Sequence, residues 1–513
     1  MSSEKDHKHS LDVEQVKSGG QDGTITVTPP SFIDQFRALK THKRAVIAVA
    51  FACSTTPVLI GYDLTLIGSI IANTEFIHTI GTYNQDLQTW SLPARQQLIW
   101  TIVQYVSAIL AALGSGSLND MIGRRICFYI TVGLTVSGTL IELFSTSWKV
   151  WAVAKLFMGA AMGSMQANTQ TYVSEITPTS IRGITLSLFQ FWIILGQLIA
   201  SCVLEGTSHV DSPWSWRGAV VSQFGPALFC LAVFISLVPE SPYFLVAKGR
   251  LDDAKAAIAR LRAGENISCD EELRAIQETL THERQAKEAS PSFLECFQGS
   301  DLRRTLLACL PLVMQIFMGY PLCSNYLSYF LTLSGMNNAF LITLISVICS
   351  LVAGIIAFGL VERVGRRNQL LVGSCGMLLC LFIISLLGFL GVGEKWNYRA
   401  LAAFCIIWAV FYFGSIGAVG WTIMAEVSSS RLRAKTTSIA ALSSSLVNMV
   451  WSIAIPYLVN KENANLGPKS ALLFLGCSIV LWGVCFFCLP ETKGKSFAEL
   501  DSLFEARTPA RKF

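Results

Sequence analysis

Asp120-Met121-Ile122-Gly123-Arg124-Arg125 is a charged word between two long apolar runs, and it returns 242 residues later as Glu362-Arg363-Val364-Gly365-Arg366-Arg367. Working outward, Glu175 with Arg182 seven residues on reappears as Glu426 with Arg433. Pro239-Glu240-Ser241 reappears as Pro490-Glu491-Thr492, and both of these pairs are offset by 251 residues. A 513-residue chain that repeats three charged words in the same order reads as two versions of one unit. Charged words set between greasy stretches point to a membrane carrier built from two similar halves.

The composition agrees. Hydrophobic residues make up 52% and charged residues 14%, against roughly 25% charged in a soluble domain, and mean hydropathy is +0.50. Twelve apolar stretches are long enough to cross a hydrocarbon core of about 30 Å: 45–72, 97–118, 126–146, 150–173, 183–205, 218–238, 305–331, 339–360, 369–391, 399–424, 436–459 and 469–489. Lipid offers no partner to free backbone groups, so these spans are expected to be helices, and the fold expected is an all-α membrane protein of two six-helix halves. The expected organisation is a disordered cytosolic tail over 1–44, one half over 45–238, a cytosolic linker with short helices over 239–304, a second half over 305–489 and a cytosolic tail over 490–513. Within the linker, Leu251 to Arg262 and Asp270 to Ala289 have helical apolar spacing.

Lysine and arginine set the orientation. With both termini inside, 31 of the 39 Lys and Arg fall on the inner side, as the positive-inside rule requires. The net charge of +5 is therefore a topology signal and not a nucleic-acid signal. Most of the fifteen cysteines lie inside spans, including a CxxC pair, Cys485 and Cys488, within the twelfth apolar stretch, which reads as packing rather than metal binding or disulfides. No metal, cofactor or nucleophile–base set is expected, so an enzyme is not.

In each Gly-Arg-Arg word the glycine permits a tight turn, and the arginines anchor the inner surface. The carboxylates Asp120, Glu175, Glu240, Glu362, Glu426 and Glu491 and the arginines Arg124, Arg125, Arg182, Arg366, Arg367 and Arg433 form one expected cluster at the inner end of each half. Such ion pairs could hold one side of a carrier closed and break when it opens.

These words, with Gly61-Tyr62-Asp63, Tyr172-Val173-Ser174-Glu175 and Pro490-Glu491-Thr492-Lys493-Gly494, resemble those of sugar porters of the major facilitator superfamily over residues 45–505. Ala425 to Thr436, Gly196 to Ser201 and the tail ending Ala510-Arg511-Lys512-Phe513 most resemble fungal α-glucoside (maltose-type) permeases. The resemblance implies plasma-membrane sugar transport by alternating access. It also implies a proton site at Asp63, whose usual arginine partner is replaced here by Lys155. Independently of the family, both residues lie at similar depth inside spans, where charge is costly and marks function. Symport and uncoupled facilitation remain alternatives.

For the substrate the resemblance implies Gln190 and, seven residues on, Gln197; Gln315 and Gly319 of a seventh-span word in which Ile316 and Pro321 replace polar residues; Trp421; and Asn448. Asn325 and Tyr326 could substitute for the missing amides. Gln104 has no counterpart and is expected to matter little. A disaccharide, a substituted glycoside or another polyol is as compatible as glucose. A sugar sensor and an exporter of a polyol or secondary metabolite are the competing functions. The expected partners are a small sugar, protons and the lipid bilayer, with no nucleic acid.

Overall fold

The computed structural model describes residues 43–85, 88–177, 182–236, 238–261, 269–288, 293–333, 336, 338–390, 395–429, 432–460, 463–493, 497–506 and 508–510. The first half runs Lys43–Ile70, Ala94–Ile122, Arg124–Leu143, Trp148–Ile176 and Arg182–Ser208, with a sixth span in two pieces, Trp214–Val221 and Phe224–Ser236. The second half begins with a seventh span, Gly299–Phe317, continued by a π-turn at Pro321–Asn325 and a short helix Leu327–Leu333. It continues with Ala339–Val364, Arg366–Phe389, a tenth span in two pieces (Lys395–Gly414 and Ile416–Val427), Arg433–Val459 and Ala471–Cys488.

Among the described residues, nine of these helices are long and apolar enough to cross a membrane, or ten if the bent pair Thr56–Ile70 and Thr74–Ile80 counts as one. The spans outside the nine are the first, fourth and seventh. The fourth carries Lys155 and the seventh the broken stretch around Gly319 and Asn325, where a charge or a helix break is costly inside a span; the first counts through the bent pair that begins at Thr56.

Packing repeats between the halves. In the first half the second span lies on the fourth, the first on the fifth and the third on the fourth. Six spans later the eighth lies on the tenth, the seventh on the eleventh and the ninth on the tenth. The halves meet where the fifth span packs on the eighth and the second on the eleventh.

One end of the bundle, here the linker face, carries the Gly-Arg-Arg turns and the linker helices Pro242–Ala247, Leu251–Leu261 and Cys269–Glu288. These three share a small core of Phe244, Leu245, Ala254, Ile258, Leu273 and Ile276. A tail helix, Phe497–Glu505, docks on the same face. Arg304, buried at the start of the seventh span, pairs through Nη1 with Asp501 Oδ1 at 2.5 Å and donates from Nε to the Val427 carbonyl. The opposite end, the hairpin face, carries the helix Thr74–Ile80 and a two-stranded hairpin, Thr82–Asn84 against Thr89–Ser91. Phe76 roots this cap in an aromatic cluster with Trp100, Trp151 and Trp216.

Candidate functional site

The two Gly-Arg-Arg turns have the same geometry. Gly123 has φ 96° and ψ 160°, Gly365 φ 94° and ψ 152°, a region almost closed to residues with a Cβ. Each glycine starts a helix whose first N–H groups are capped by a carboxylate from the end of its own half. Arg124 N donates to Glu240 Oε1 at 2.9 Å, and Arg366 N to Glu491 Oε1 at 3.1 Å. The positive end of a helix favours such an anion.

The side chains complete each cluster. Arg124 forms a fork with Glu175, Nη2 to Oε1 at 2.7 Å and Nε to Oε2 at 3.0 Å, and reaches Asp120 at 3.3 Å. Arg125 Nη2 caps the Ile235 carbonyl. In the second half Arg366 Nη2 lies 3.4 Å from Glu426 Oε1, Thr492 donates to Glu426, and Arg367 Nη2 caps the Phe486 carbonyl. The side chains of Arg182, Glu362 and Arg433 lie outside the described residues. These pairs join helices of one half, so in this conformation they brace each half and do not clamp the two together.

Toward the hairpin end of its helices the first half encloses a charged cluster. Lys155 on the fourth span is 1% exposed, with Nζ 3.8 Å from Asp63 Oδ1 on the first span. Its nearer partner is Glu142 on the third span, at 2.5 Å from Oε1 and 0% exposed. Gln104 Nε2 on the second span donates to Asp63 Oδ2 at 3.2 Å. The sequence pattern joins Asp63 to Lys155 but passes over Glu142, although a carboxylate inside a span is itself a signal. It also leads one to expect little of Gln104. The structure corrects that: an amide with no family counterpart is a direct partner of the buried aspartate.

Beside this cluster lies a cavity of roughly 820 Å³, including its open mouth, between the first, second, fourth, seventh and eleventh spans. Its polar groups include Gln104, Tyr105, Gln166, Asn325, Tyr326 and Ser452. Leu64, Ile67, Ile109, Ala112 and Met162 give it an apolar wall on the first half. A smaller cavity reaches Lys155 and shares Ile67, Thr101, Gln104 and Tyr326 with the larger one. Asn325 Oδ1 is buried with no hydrogen-bond partner. Asn448 is not among the lining residues but backs one of them: its Nδ2 donates to the Tyr105 hydroxyl at 2.9 Å, while its own Oδ1 is buried without a partner.

The other expected substrate residues are placed differently. Gln190 and Gln197 lie outside the cavity lining; Gln190 is half-buried and Gln197 is buried. Gln315 Nε2 donates to the Ile416 carbonyl at 2.9 Å and occupies the space where a Cβ on residue 420 would sit. It thus pins the break in the tenth span. Trp421 is 36% exposed and also outside the lining.

Towards the hairpin face the halves touch. Ser69 Oγ meets Ser328 Oγ at 3.0 Å, Gln97 Nε2 donates to the Tyr329 hydroxyl at 3.3 Å, and Asn460 Nδ2 donates to the Leu92 carbonyl at 3.2 Å. Gly68 lies against the Asn325 carbonyl so closely that any side chain there would collide with it. These contacts shut the cavity on that side.

Comparison with known proteins places this architecture. The profile of the family described as "Sugar (and other) transporter" matches residues 49–504. The major facilitator-type transporter ecdD of Aspergillus rugulosus is 30% identical over 470 residues, spanning 88% of this chain and 86% of ecdD. The general alpha-glucoside permease of Saccharomyces cerevisiae is 30% identical over 469 residues, spanning 90% of this chain and 75% of the permease. The inward-open structure of the xylose transporter XylE from E. coli superimposes with a TM-score of 0.72 over 89% of this chain and 99% of XylE, at 21% identity. At that identity XylE speaks for the fold: twelve membrane helices in two halves.

Proposed function

We propose that this chain, which belongs to the sugar-transporter family of the major facilitator superfamily, is a plasma-membrane symporter that takes up an α-glucoside or related sugar with a proton. The observation that carries this reading is the contiguity of a buried aspartate–lysine pair with a central cavity, through Gln104, which belongs to both. An uncharged polyol needs donors and acceptors without net charge, and Tyr105, Gln166, Asn325 and Tyr326 offer them. The unpartnered Asn325 oxygen suits a sugar hydroxyl, because a buried acceptor without a donor costs about 1–3 kcal/mol. The similarity to the general alpha-glucoside permease supports the substrate class.

In this reading the linker face is cytosolic, as the basic residues favour. The hairpin face is then closed and the cavity faces inward. Protonation of Asp63 and sugar binding from outside favour the switch between two packings of the halves. Each elementary charge carried inward through 100 mV adds about 2.3 kcal/mol. The braced clusters at the linker face keep each half rigid through the change.

The apolar wall of Leu64, Ile67, Ile109 and Met162 favours a second reading, in which the substrate is a glycoside with an apolar aglycone. Expression in transport-null yeast, with labelled maltose and an aryl α-glucoside and a pH electrode in the medium, tests both. Sugar-dependent alkalinisation is the expected result. Uptake that never overtakes the external concentration and leaves the pH unchanged refutes symport.

A further inference from the structure

The buried charges do not balance. Lys155 supplies one positive charge, and Asp63 and Glu142 supply two carboxylates, all at least nine-tenths buried. The elements packed around them add no second cation among the described residues that reaches the pair. Gln104 of the second span is neutral. The sixth span brings Gln223, whose Oε1 accepts from Thr139 one turn before Glu142, and Arg217, which stacks over Trp216. Tyr62, beside Asp63, turns its hydroxyl to the Ala219 carbonyl and Ser222. Lys155 also lies over the Trp151 ring at 4.8 Å.

A second observation points the same way. Two carboxylate oxygens are buried with no hydrogen-bond donor, Asp63 Oδ1 and Glu142 Oε2, one on each acid. A carboxylic acid supplies a donor that a carboxylate lacks. One proton therefore neutralises the cluster and gives one of these oxygens its own O–H.

We propose that Glu142 is the second carboxylate of the proton site: it holds Lys155 permanently, so that Asp63 can take up and release a proton without leaving the ammonium unpaired. This deepens the symport reading and rests on it for its role in transport. With Asp63 alone against Lys155, protonation would turn a neutral buried pair into a net cation. With Glu142 in place, protonation turns a net anion into a neutral group, which low dielectric favours. The step is a single transfer: a hydronium ion reaching the smaller cavity gives its proton to Asp63, water leaves, and the Lys155–Glu142 contact stays. Release to the other side reverses it. The smaller cavity is lined by Lys155 and Gln104 and shares Gln104 with the larger cavity.

The test has one arm with sugar and one without. In purified protein, infrared titration follows the carboxylic-acid carbonyl band lost as pH rises. Glu142→Gln should move the loss of the Asp63 band to lower pH by at least one unit, a tenfold change in proton concentration. Glu142→Asp should restore the wild-type position, and Asp63→Asn should abolish the band. Lys155→Gln should move it in the opposite direction, because two carboxylates then face each other with no cation. If Glu142→Gln does not fold, the double variant Glu142→Gln/Lys155→Gln decides the matter: it should titrate below Lys155→Gln alone, and equal titration of the two overturns the proposal. The proposal is overturned if Glu142→Gln and wild type titrate together, if Lys155→Gln does not shift upward, or if wild type shows no such band. In yeast, Glu142→Gln should need about tenfold more external protons for half-maximal maltose-driven alkalinisation. Wild type that shows the band but no alkalinisation with any α-glucoside refutes the symport reading and leaves the proton site standing.

Discussion

Gly123→Ala probes the turn that gives the chain its repeat. At φ 96° and ψ 160° an alanine pays a backbone strain of roughly 1–3 kcal/mol. Its Cβ would also sit 2.7 Å from Glu240 Oε2, so the carboxylate must move. That carboxylate caps the N–H groups of Arg124 at 2.9 Å and Arg125 at 3.3 Å, and losing one such charged bond costs roughly 1.5–3 kcal/mol. The expected loss is thus about 2.5–6 kcal/mol. Gly365→Ala should cost about as much, because its Cβ meets Glu491 Oε2 at the same 2.7 Å. Gly249→Ala is the control: φ is 77°, with nothing within 4 Å of the new Cβ, so it carries strain alone, about 1–2 kcal/mol. The assay is thermal unfolding of purified protein, followed by a thiol-reactive dye as buried Cys127, Cys230 and Cys323 become exposed. Both turn variants should melt several degrees below the Gly249 control. If Gly123→Ala melts with the control, the carboxylate cap contributes nothing and the reasoning from the repeat is wrong.

Three further outcomes are expected. Gln104→Leu removes the amide that stabilises ionised Asp63; at roughly 1.5–3 kcal/mol and 1.36 kcal/mol per unit, the pH dependence of uptake should move about 1–2 units to the alkaline side, read from initial rates across pH. Asn325→Ala should raise the apparent KM about five- to 150-fold with protein still at the cell surface, whereas Gln315→Ala, which frees the Ile416 carbonyl, should lower the melting temperature first. In the linker, the Lys255 ammonium 2.7 Å away holds the Asp270 carboxyl below the usual carboxylate range; the contact stabilises the helix pair above the ordinary carboxylate value and fades as pH falls through the lowered one, so limited proteolysis between residues 251 and 288 should quicken in acid for wild type and be pH-independent there for Asp270→Asn.

What is legible in the sequence is what periodicity and repetition encode. Twelve apolar runs are visible because lipid imposes them on every residue of a span, and the turns at Gly123 and Gly365 because a rare backbone conformation demands glycine and a nearby carboxylate demands its partners. Pairing across spans is harder to read. Asp63 and Lys155 can be matched by depth, but depth does not say which helix faces they occupy, and Glu142 shares their depth while lying only thirteen residues from Lys155. Gln104 is easily discounted because the family offers no equivalent; its role comes from the second span lying against the first half's core, which no linear pattern states. Gln315 shows the reverse error. Its family match suggests a ligand, while here its amide goes to a backbone carbonyl at a helix break, the usual fate of an amide inside a bundle.

The repeat also separates what the chain keeps twice from what it keeps once. The linker-face frame is duplicated in its helix caps and its ion pairs: Arg124 with Glu175 and Glu240 matches Arg366 with Glu426 and Glu491, though the fork to Glu175 becomes a single 3.4 Å contact to Glu426. The buried charge cluster is not. At the offset of 242 that links Gly123 to Gly365, Glu142 falls on Ile384, and at the 251 that links Glu175 to Glu426, Lys155 falls on Ile406. A buried charge cluster in both halves would carry the desolvation cost twice and put two proton sites on one substrate cavity. With the charges confined to the first half, the second half is free to supply neutral hydrogen-bonding groups, Asn325, Tyr326 and Asn448. The symport proposal draws on this asymmetry: two bodies alike at one face, and unlike where the charges lie, so that in that reading only one of them takes up the proton.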